Sequence, residues 1–181
     1  MALSANLFNL SYIALWSYVI TNFKTISVDE VSLIQSVGVF EILLIMAGTI
    51  KTKLFTAVFQ LISRLLFAWY FFHTGIHHEL AFNGMCVFWS LSEIARCSYN
   101  LCKTSKFITH VRYNLFFIGY PTGVLSELTY IYNVLQHTTI PHIKLVYMLI
   151  MASYIPVFPV LFNTLLMNRK KAYKNLQKKK E

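Results

Sequence analysis

RYNLFFIGYPTGVLSELTYIY, residues 112–132, is apolar enough to lie in a bilayer, yet it carries one acid, Glu127, and a row of tyrosines. Tyr113, Tyr120 and Glu127 are spaced seven apart. Seven residues at about 100° each fall roughly 20° short of two turns, so the three share one helix face. Pro121 cannot donate to the carbonyl of Phe117 and tends to kink a helix. Gly123 lies on the same side and leaves room for another backbone or a ligand. An ionisable side chain at membrane depth is costly, which makes a functional site the default hypothesis. The competing reading is a buried tyrosine hydrogen-bonded to a neutral glutamic acid between helices.

The remainder of the 181-residue chain has the same character. Apolar residues make up 56% of it, and long apolar runs are separated by short polar breaks. Mean hydropathy is +0.54. This composition argues for an all-α, polytopic membrane protein and against a two-domain soluble enzyme. The net charge of +9 raises the possibility of nucleic-acid binding, but its distribution argues against it. Seven of the sixteen Lys and Arg follow Met167, and most others fall in short loops. That pattern belongs to topology determinants and membrane-surface electrostatics. Cys86, Cys97 and Cys102 lack metal-ligand spacing, and an odd number cannot complete a disulfide framework, so they read as small packing residues.

Six helices are expected. Helix 1 runs from about Leu3 to Phe23, with Trp16 and Tyr18 near its far end suited to an interface. Helix 2 runs from about Val31 to Ile50 and contains Gln35 and Glu41. Helix 3, about Leu54 to Phe72, contains Gln60 and Arg64. The loop His73–Glu79 holds His73, His77 and His78. It lacks the HExxH pattern on a helix and reads as a solvated turn, so no metal site is assigned. Helix 4, about Leu80 to Leu101, places Glu93 and Arg96 three apart, the spacing of an intrahelical ion pair. Helix 5 is the opening stretch. Helix 6, about His142 to Met167, should bend at Pro156 and Pro159.

Six spans put both termini on one side. Cytosolic termini place Lys51, Lys53, Lys103, Lys106 and Arg112 in the cytosol as well, leaving only Lys24 and Lys144 opposite. From Arg112 at the interface, Tyr120 lies about 12 Å deeper and Glu127 about 22 Å deeper at 1.5 Å per residue. Both depths fall inside a hydrocarbon layer of about 30 Å. Residues 1–167 thus form a transmembrane domain and 168–181 a basic cytosolic tail. Lys178 and Lys179 stand fourth and third from the end, the dilysine retrieval pattern of endoplasmic reticulum membrane proteins.

Tyr120-Pro121-Thr122-Gly123 followed by Glu127 resembles the very-long-chain (3R)-3-hydroxyacyl-CoA dehydratases, also called protein-tyrosine-phosphatase-like proteins. Arg112-Tyr113-Asn114 looks like that family's start of helix 5. Trp89-Ser90 with Glu93 and Arg96 looks like its helix 4, and Gln60 with Ser63-Arg64 its helix 3. Gln35, Glu41 and Gly48 resemble helix 2, and Asn9 with Trp16-Ser17 fits helix 1. Leu44 departs from an expected histidine, Phe8 from a tyrosine, and Cys97 from an aromatic residue. None of these removes Tyr120 or Glu127, the positions that match the family's catalytic pair.

The resemblance implies loss of water from a 3-hydroxyacyl-CoA to give the trans-2-enoyl-CoA, the third step of each fatty-acid elongation cycle, with no cofactor. Such a step needs a base for the C2 proton and an acid for the departing C3 hydroxyl. Glu127 as base and Tyr120 as acid is the preferred assignment, and the reverse is the alternative. Negative charge building on the thioester oxygen requires donors. Tyr113, Arg112, Asn114 and Arg96 are the candidates for substrate binding. Expected partners are an acyl-CoA, the lipid bilayer and the other elongation enzymes, namely the condensing enzyme, the 3-ketoacyl-CoA reductase and the enoyl-CoA reductase. Two rival functions are a non-catalytic scaffold of the elongation complex and a proton-coupled transporter. The transporter should show an inverted repeat, and the two halves show none.

Overall fold

A computed structural model describes residues 2–50, 54–102 and 105–178. Every regular element among these residues is a helix, as expected. In order the helices are α1 (Ala2–Thr21), α2 (Val28–Met46), α3 (Leu54–Leu66), α4 (Glu79–Leu101), α5 (Lys106–His137) and α6 (Pro141–Lys178). A wide π-helical segment, Phe67–Phe71, continues α3. Of the loop and tail lysines named above, Lys51, Lys53, Lys103 and Lys179 lie outside the described residues.

Local capping chemistry moves several boundaries from their expected places. α2 begins three residues before Val31. Ser27 Oγ accepts from the Glu30 amide, and the Glu30 carboxylate accepts from the Ser27 amide, forming a reciprocal capping box. α2 also ends early, ahead of Gly48 at φ +69°, a left-handed conformation that favours glycine. Ser105 caps α5 by accepting from the Ile108 amide, so Arg112 lies in the second turn of that helix rather than at its first residue. α6 continues well past Met167, and the basic segment through Lys178 is part of it. Pro121, Pro156 and Pro159 all lie inside helices.

α4 is the central element, packing most extensively on α5 and α1. Its Met85, Cys86, Trp89 and Cys97 join Tyr12, Trp16 and Val19 of α1 and Tyr130, Ile131 and Val134 of α5 in one buried core. Trp16 is fully buried there, edge-on to Tyr12, and not at an interface as its position near the helix end suggests. Tyr18 does face outward and donates to Glu30 Oε1 at 2.7 Å. α4 and α5 approach closely at Gly84, where an added Cβ would meet Ser126 Oγ at 2.5 Å.

Four charges on α2, α3 and α4 turn inward and neutralise one another. Arg64 of α3 pairs with Glu93 of α4 and donates to Ser92 Oγ at 2.9 Å. Arg96 pairs with both Glu93 and Glu41 of α2. This realises the expected Glu93–Arg96 pair and extends it to two cations and two anions. Apolar side chains turn outward instead: Leu3 is 81% exposed, Ile118 68% and Ile155 77%. Two helical stretches, Leu3–Thr21 and Pro141–Lys174, are long and apolar enough to cross a membrane.

The histidine loop is built into this frame. His73 stacks on Trp69 and meets Asp29 Oδ1 at 3.0 Å. His77 packs against Phe82, and His78 Nδ1 caps α4 by accepting from the Ala81 amide.

Candidate active site

Glu127 sits on the face of α5 that α4 and α6 both approach. Trp89 Nε1 of α4 donates to Glu127 Oε1 at 3.0 Å, and Tyr154 OH of α6 donates to Oε2 at 2.9 Å. An indole N–H can only donate, so Oε1 must accept. The carboxyl group is thereby fixed from two sides by two different helices.

Trp89 is itself held firmly. The Arg64 guanidinium lies 5.4 Å over its ring, and Phe67 and Phe72 pack against it at 6.2 and 6.1 Å. Phe67 opens the π-helical segment, whose widened turn leaves backbone groups out of the usual ladder. Ser32 Oγ of α2 donates to the Ala68 carbonyl in that turn at 2.6 Å. A chain of contacts therefore runs from α2 and α3 through Trp89 to the Glu127 carboxylate.

Tyr120 lies two turns before Glu127 on α5 and turns toward α6. Its ring stacks on Phe158 at 5.1 Å and on Phe162 at 6.2 Å. Tyr154, Phe158 and Phe162 are four apart and line one face of α6. Tyr113, seven residues earlier, packs edge-on against Tyr99 of α4 at 5.6 Å. The three residues of the seven-spaced row thus share a helix face but meet different neighbours.

The other expected binding residues separate into two groups. Arg112 lies 4.8 Å over the Tyr99 ring and 5.6 Å over Tyr113, with Nη1 buried and without a hydrogen-bond partner. Asn114 faces α6, donating to the His110 carbonyl at 2.7 Å and meeting Tyr173 OH at 2.9 Å. Arg96 is instead committed to Glu93 and Glu41, and connects to Glu127 through Glu93, Arg64 and Trp89.

Tyr154 carries no marker in the sequence, being one of three tyrosines in a long apolar helix that contains prolines. Its four-residue spacing to Phe158 and Phe162 was the available sign. Among the described residues, no group of three or more His, Cys, Asp or Glu side chains is placed to hold a metal ion.

Comparison with known proteins adds relatives to this geometry. The chain is 34% identical over 158 residues to very-long-chain (3R)-3-hydroxyacyl-CoA dehydratase 1 of Canis lupus familiaris, covering 76% of this chain and 64% of that protein. It is 27% identical over 174 residues to the dehydratase hpo-8 of Caenorhabditis elegans, covering 84% and 80%. It is 29% identical over 163 residues to the dehydratase PASTICCINO 2 of Arabidopsis thaliana, covering 77% and 73%. The chain spans 55% to 64% of the length of the dog and sheep relatives. No solved structure matches it. Residues 35–175 match the family model described as protein tyrosine phosphatase-like protein, PTPLA, and the chain belongs to that family.

Proposed function

We propose that this protein is a very-long-chain (3R)-3-hydroxyacyl-CoA dehydratase acting in the third step of the fatty-acid elongation cycle. The observation that carries the reading is the fixed Glu127 carboxyl group, two turns from the Tyr120 phenol on a helix wall faced by Phe158 and Phe162. Glu127 takes the C2 proton of the substrate. The C2–H electron pair becomes the C2=C3 double bond as the C3–O bond breaks. The hydroxyl leaves as water with the Tyr120 proton, and proton return from Glu127 to Tyr120 resets the pair. Tyr113, Arg112 and Asn114, nearer the start of α5, serve the coenzyme A arm that leads away from the thioester. Arg96 acts at a distance, through Glu93, Arg64 and Trp89.

Substrate must enter between α5 and α6. Pro156 and Pro159 supply no N–H to the carbonyls of Ala152 and Ile155, which weakens α6 beside Tyr154 and Phe158. Bending there releases Tyr154 from Glu127 and lets the reacting carbons in. The aromatic wall then contacts the acyl chain.

The same reading places all six helices in the membrane of the endoplasmic reticulum, with cytosolic termini and residues 168–181 as a basic cytosolic segment. Outward-facing leucines and isoleucines suit lipid, while Arg64, Glu93, Arg96 and Glu41 neutralise one another inside the bundle. Buried pairing lets α2, α3 and α4 carry these charges within a bilayer. At about 1.5 Å per residue, the 38 residues of α6 exceed a hydrocarbon layer of about 30 Å, so its basic end projects into water. The condensing enzyme and the two reductases of the elongation cycle are the expected partners.

The test is direct. Purified full-length protein in lipid nanodiscs is given a long-chain 3-hydroxyacyl-CoA, and the enoyl product is followed by mass. Product formation supports the reading, whereas an inert wild type favours a scaffold of the elongation complex.

A further inference from the structure

An open hollow of about 510 Å³ lies where α6 passes the first turns of α5, lined by Arg169, Lys170, Tyr173 and Lys174. It is removed from Glu127. At about 1.5 Å per residue, Asn114, which contacts Arg169, stands roughly 9 Å along α5 from Tyr120 and roughly 20 Å from Glu127.

Among the described residues of α5 and α6, no carboxylate lies near the positive charge of this hollow. α6 contains no acidic residue, and α5 contains only Glu127, at the far end of this axis. Lysines on a helix end need no ligand to explain them, because water suffices. Arg169 is different. Its guanidinium is clamped between the Phe117 and Tyr173 rings at 5.1 and 5.2 Å, and one terminal nitrogen donates to Asn114 Oδ1 at 2.9 Å. Its Nε is buried and has no hydrogen-bond partner. The clamp is braced in turn, since Asn114 also holds the His110 carbonyl and Tyr173 OH, and Tyr173 OH meets His110 Nδ1 at 2.7 Å. An arginine whose plane is set by aromatic faces and whose donors are left over has lost little freedom still to be lost on binding an anion. A buried donor without an acceptor is costly, and an anion held at the guanidinium's open edge offsets that cost through its charge.

We propose that this hollow binds the phosphate groups of the coenzyme A carrier, with Arg169 as the principal ligand and Lys170 and Lys174 as the outer cations. The assignment rests on the dehydratase reading and deepens it. An anionic head at Arg169 and reacting carbons between Tyr120 and Glu127 are the two ends of a long, flexible thioester arm lying along α5. Phosphate could also arrive as an anionic lipid headgroup at the membrane surface, and the experiment separates the two.

Wild type, R169Q and R169K, each as the full chain in phosphatidylcholine nanodiscs, are assayed with a 3-hydroxyacyl-CoA and with the same acyl group on pantetheine, which lacks the phosphates. Binding of free coenzyme A is measured alongside by calorimetry. Loss of a charge-assisted contact predicts a KM increase of roughly ten- to a hundredfold for R169Q on the coenzyme A thioester, with kcat retained. The pantetheine thioester should be turned over by R169Q as by wild type, which also shows that the variant is folded. R169K should recover only part of the loss, because a lysine cannot present the same fork of donors. Equal effects on both thioesters, or an unchanged KM and unchanged coenzyme A affinity, would overturn the proposal. So would normal coenzyme A binding by R169Q together with lost binding to phosphatidate-containing nanodiscs, which would assign the hollow to lipid. If wild type turns over neither thioester yet binds coenzyme A through Arg169, the dehydratase reading fails and the phosphate site stands.

Discussion

Trp89 donates its indole N–H to Glu127 Oε1 at 3.0 Å while the Arg64 guanidinium lies over the same ring at 5.4 Å. The acid that the sequence marks as exceptional is therefore aimed by a residue on a neighbouring helix, and that residue is steadied by a third helix. Trp89→Phe keeps the ring packing and removes the donor. A lost neutral-to-charged hydrogen bond of about 1.5 kcal/mol corresponds to a fall in kcat of roughly tenfold. The thermal midpoint in detergent should fall by only a few degrees. A fall in midpoint that accounts for the whole activity loss would mean that Trp89 only fills the core.

Removing either reacting group should be far more damaging. Glu127→Gln and Tyr120→Phe are each expected to lower dehydration by roughly a hundred- to ten-thousandfold, the usual worth of positioned acid or base catalysis. Both variants should stay folded, as judged by size-exclusion profile. Near-normal turnover in either one removes it from the site.

Tyr154→Phe separates a latch from a catalyst. If Tyr154 holds Glu127 only until substrate enters, its loss frees the carboxyl group and lowers KM or leaves it unchanged, with kcat reduced severalfold at most. A loss as deep as that of Tyr120→Phe would instead put the Tyr154 hydroxyl in contact with the reacting atoms, as the proton donor.

The close approach of α4 and α5 gives a packing prediction. Gly84→Ala brings a methyl group against Ser126 Oγ, which is tied to the Thr122 carbonyl at 3.0 Å. Overpacking of this kind costs about 1–3 kcal/mol. The double variant Gly84→Ala with Ser126→Ala should recover part of the loss in a thermal melt. No recovery would show that the backbone, not the hydroxyl, sets the spacing.

At the α2 entrance, the Ser27 amide and then the Tyr18 and Ser27 hydroxyls hold the Glu30 carboxyl below its usual range of about 4.5. A carboxyl group depressed by folding contributes stability above its unfolded value and loses it as pH falls through the folded one. Wild type should therefore lose its small advantage over Glu30→Gln as pH drops below about 4.5. Parallel midpoint-versus-pH curves for the two proteins would refute the contribution.

Helix number and type were legible because long apolar runs broken by short polar segments have few other solutions. Glu127 was legible because one acid in such a run demands an explanation. The ends of the helices were harder to place. Ser27, Ser105 and the stop at Gly48 act through single hydrogen bonds or one backbone angle, which hydropathy does not record. Trp16 was misplaced because a tryptophan near a helix end looks the same whether it meets headgroups or core. Most of the site's neighbours, including Trp89 at Glu127 and Tyr173 at Asn114, come from other helices, and no spacing within one helix reveals them.

The four interior charges have a further consequence. Two arginines and two glutamates sum to zero, so losing any one strands a unit charge among apolar helices, at about 3–5 kcal/mol. Mutational drift at these positions should therefore proceed two at a time. An Arg64→Met chain ought to be repaired by a second change at Glu93 or Glu41 more readily than by any improvement elsewhere, making the quartet a unit of inheritance as much as of structure.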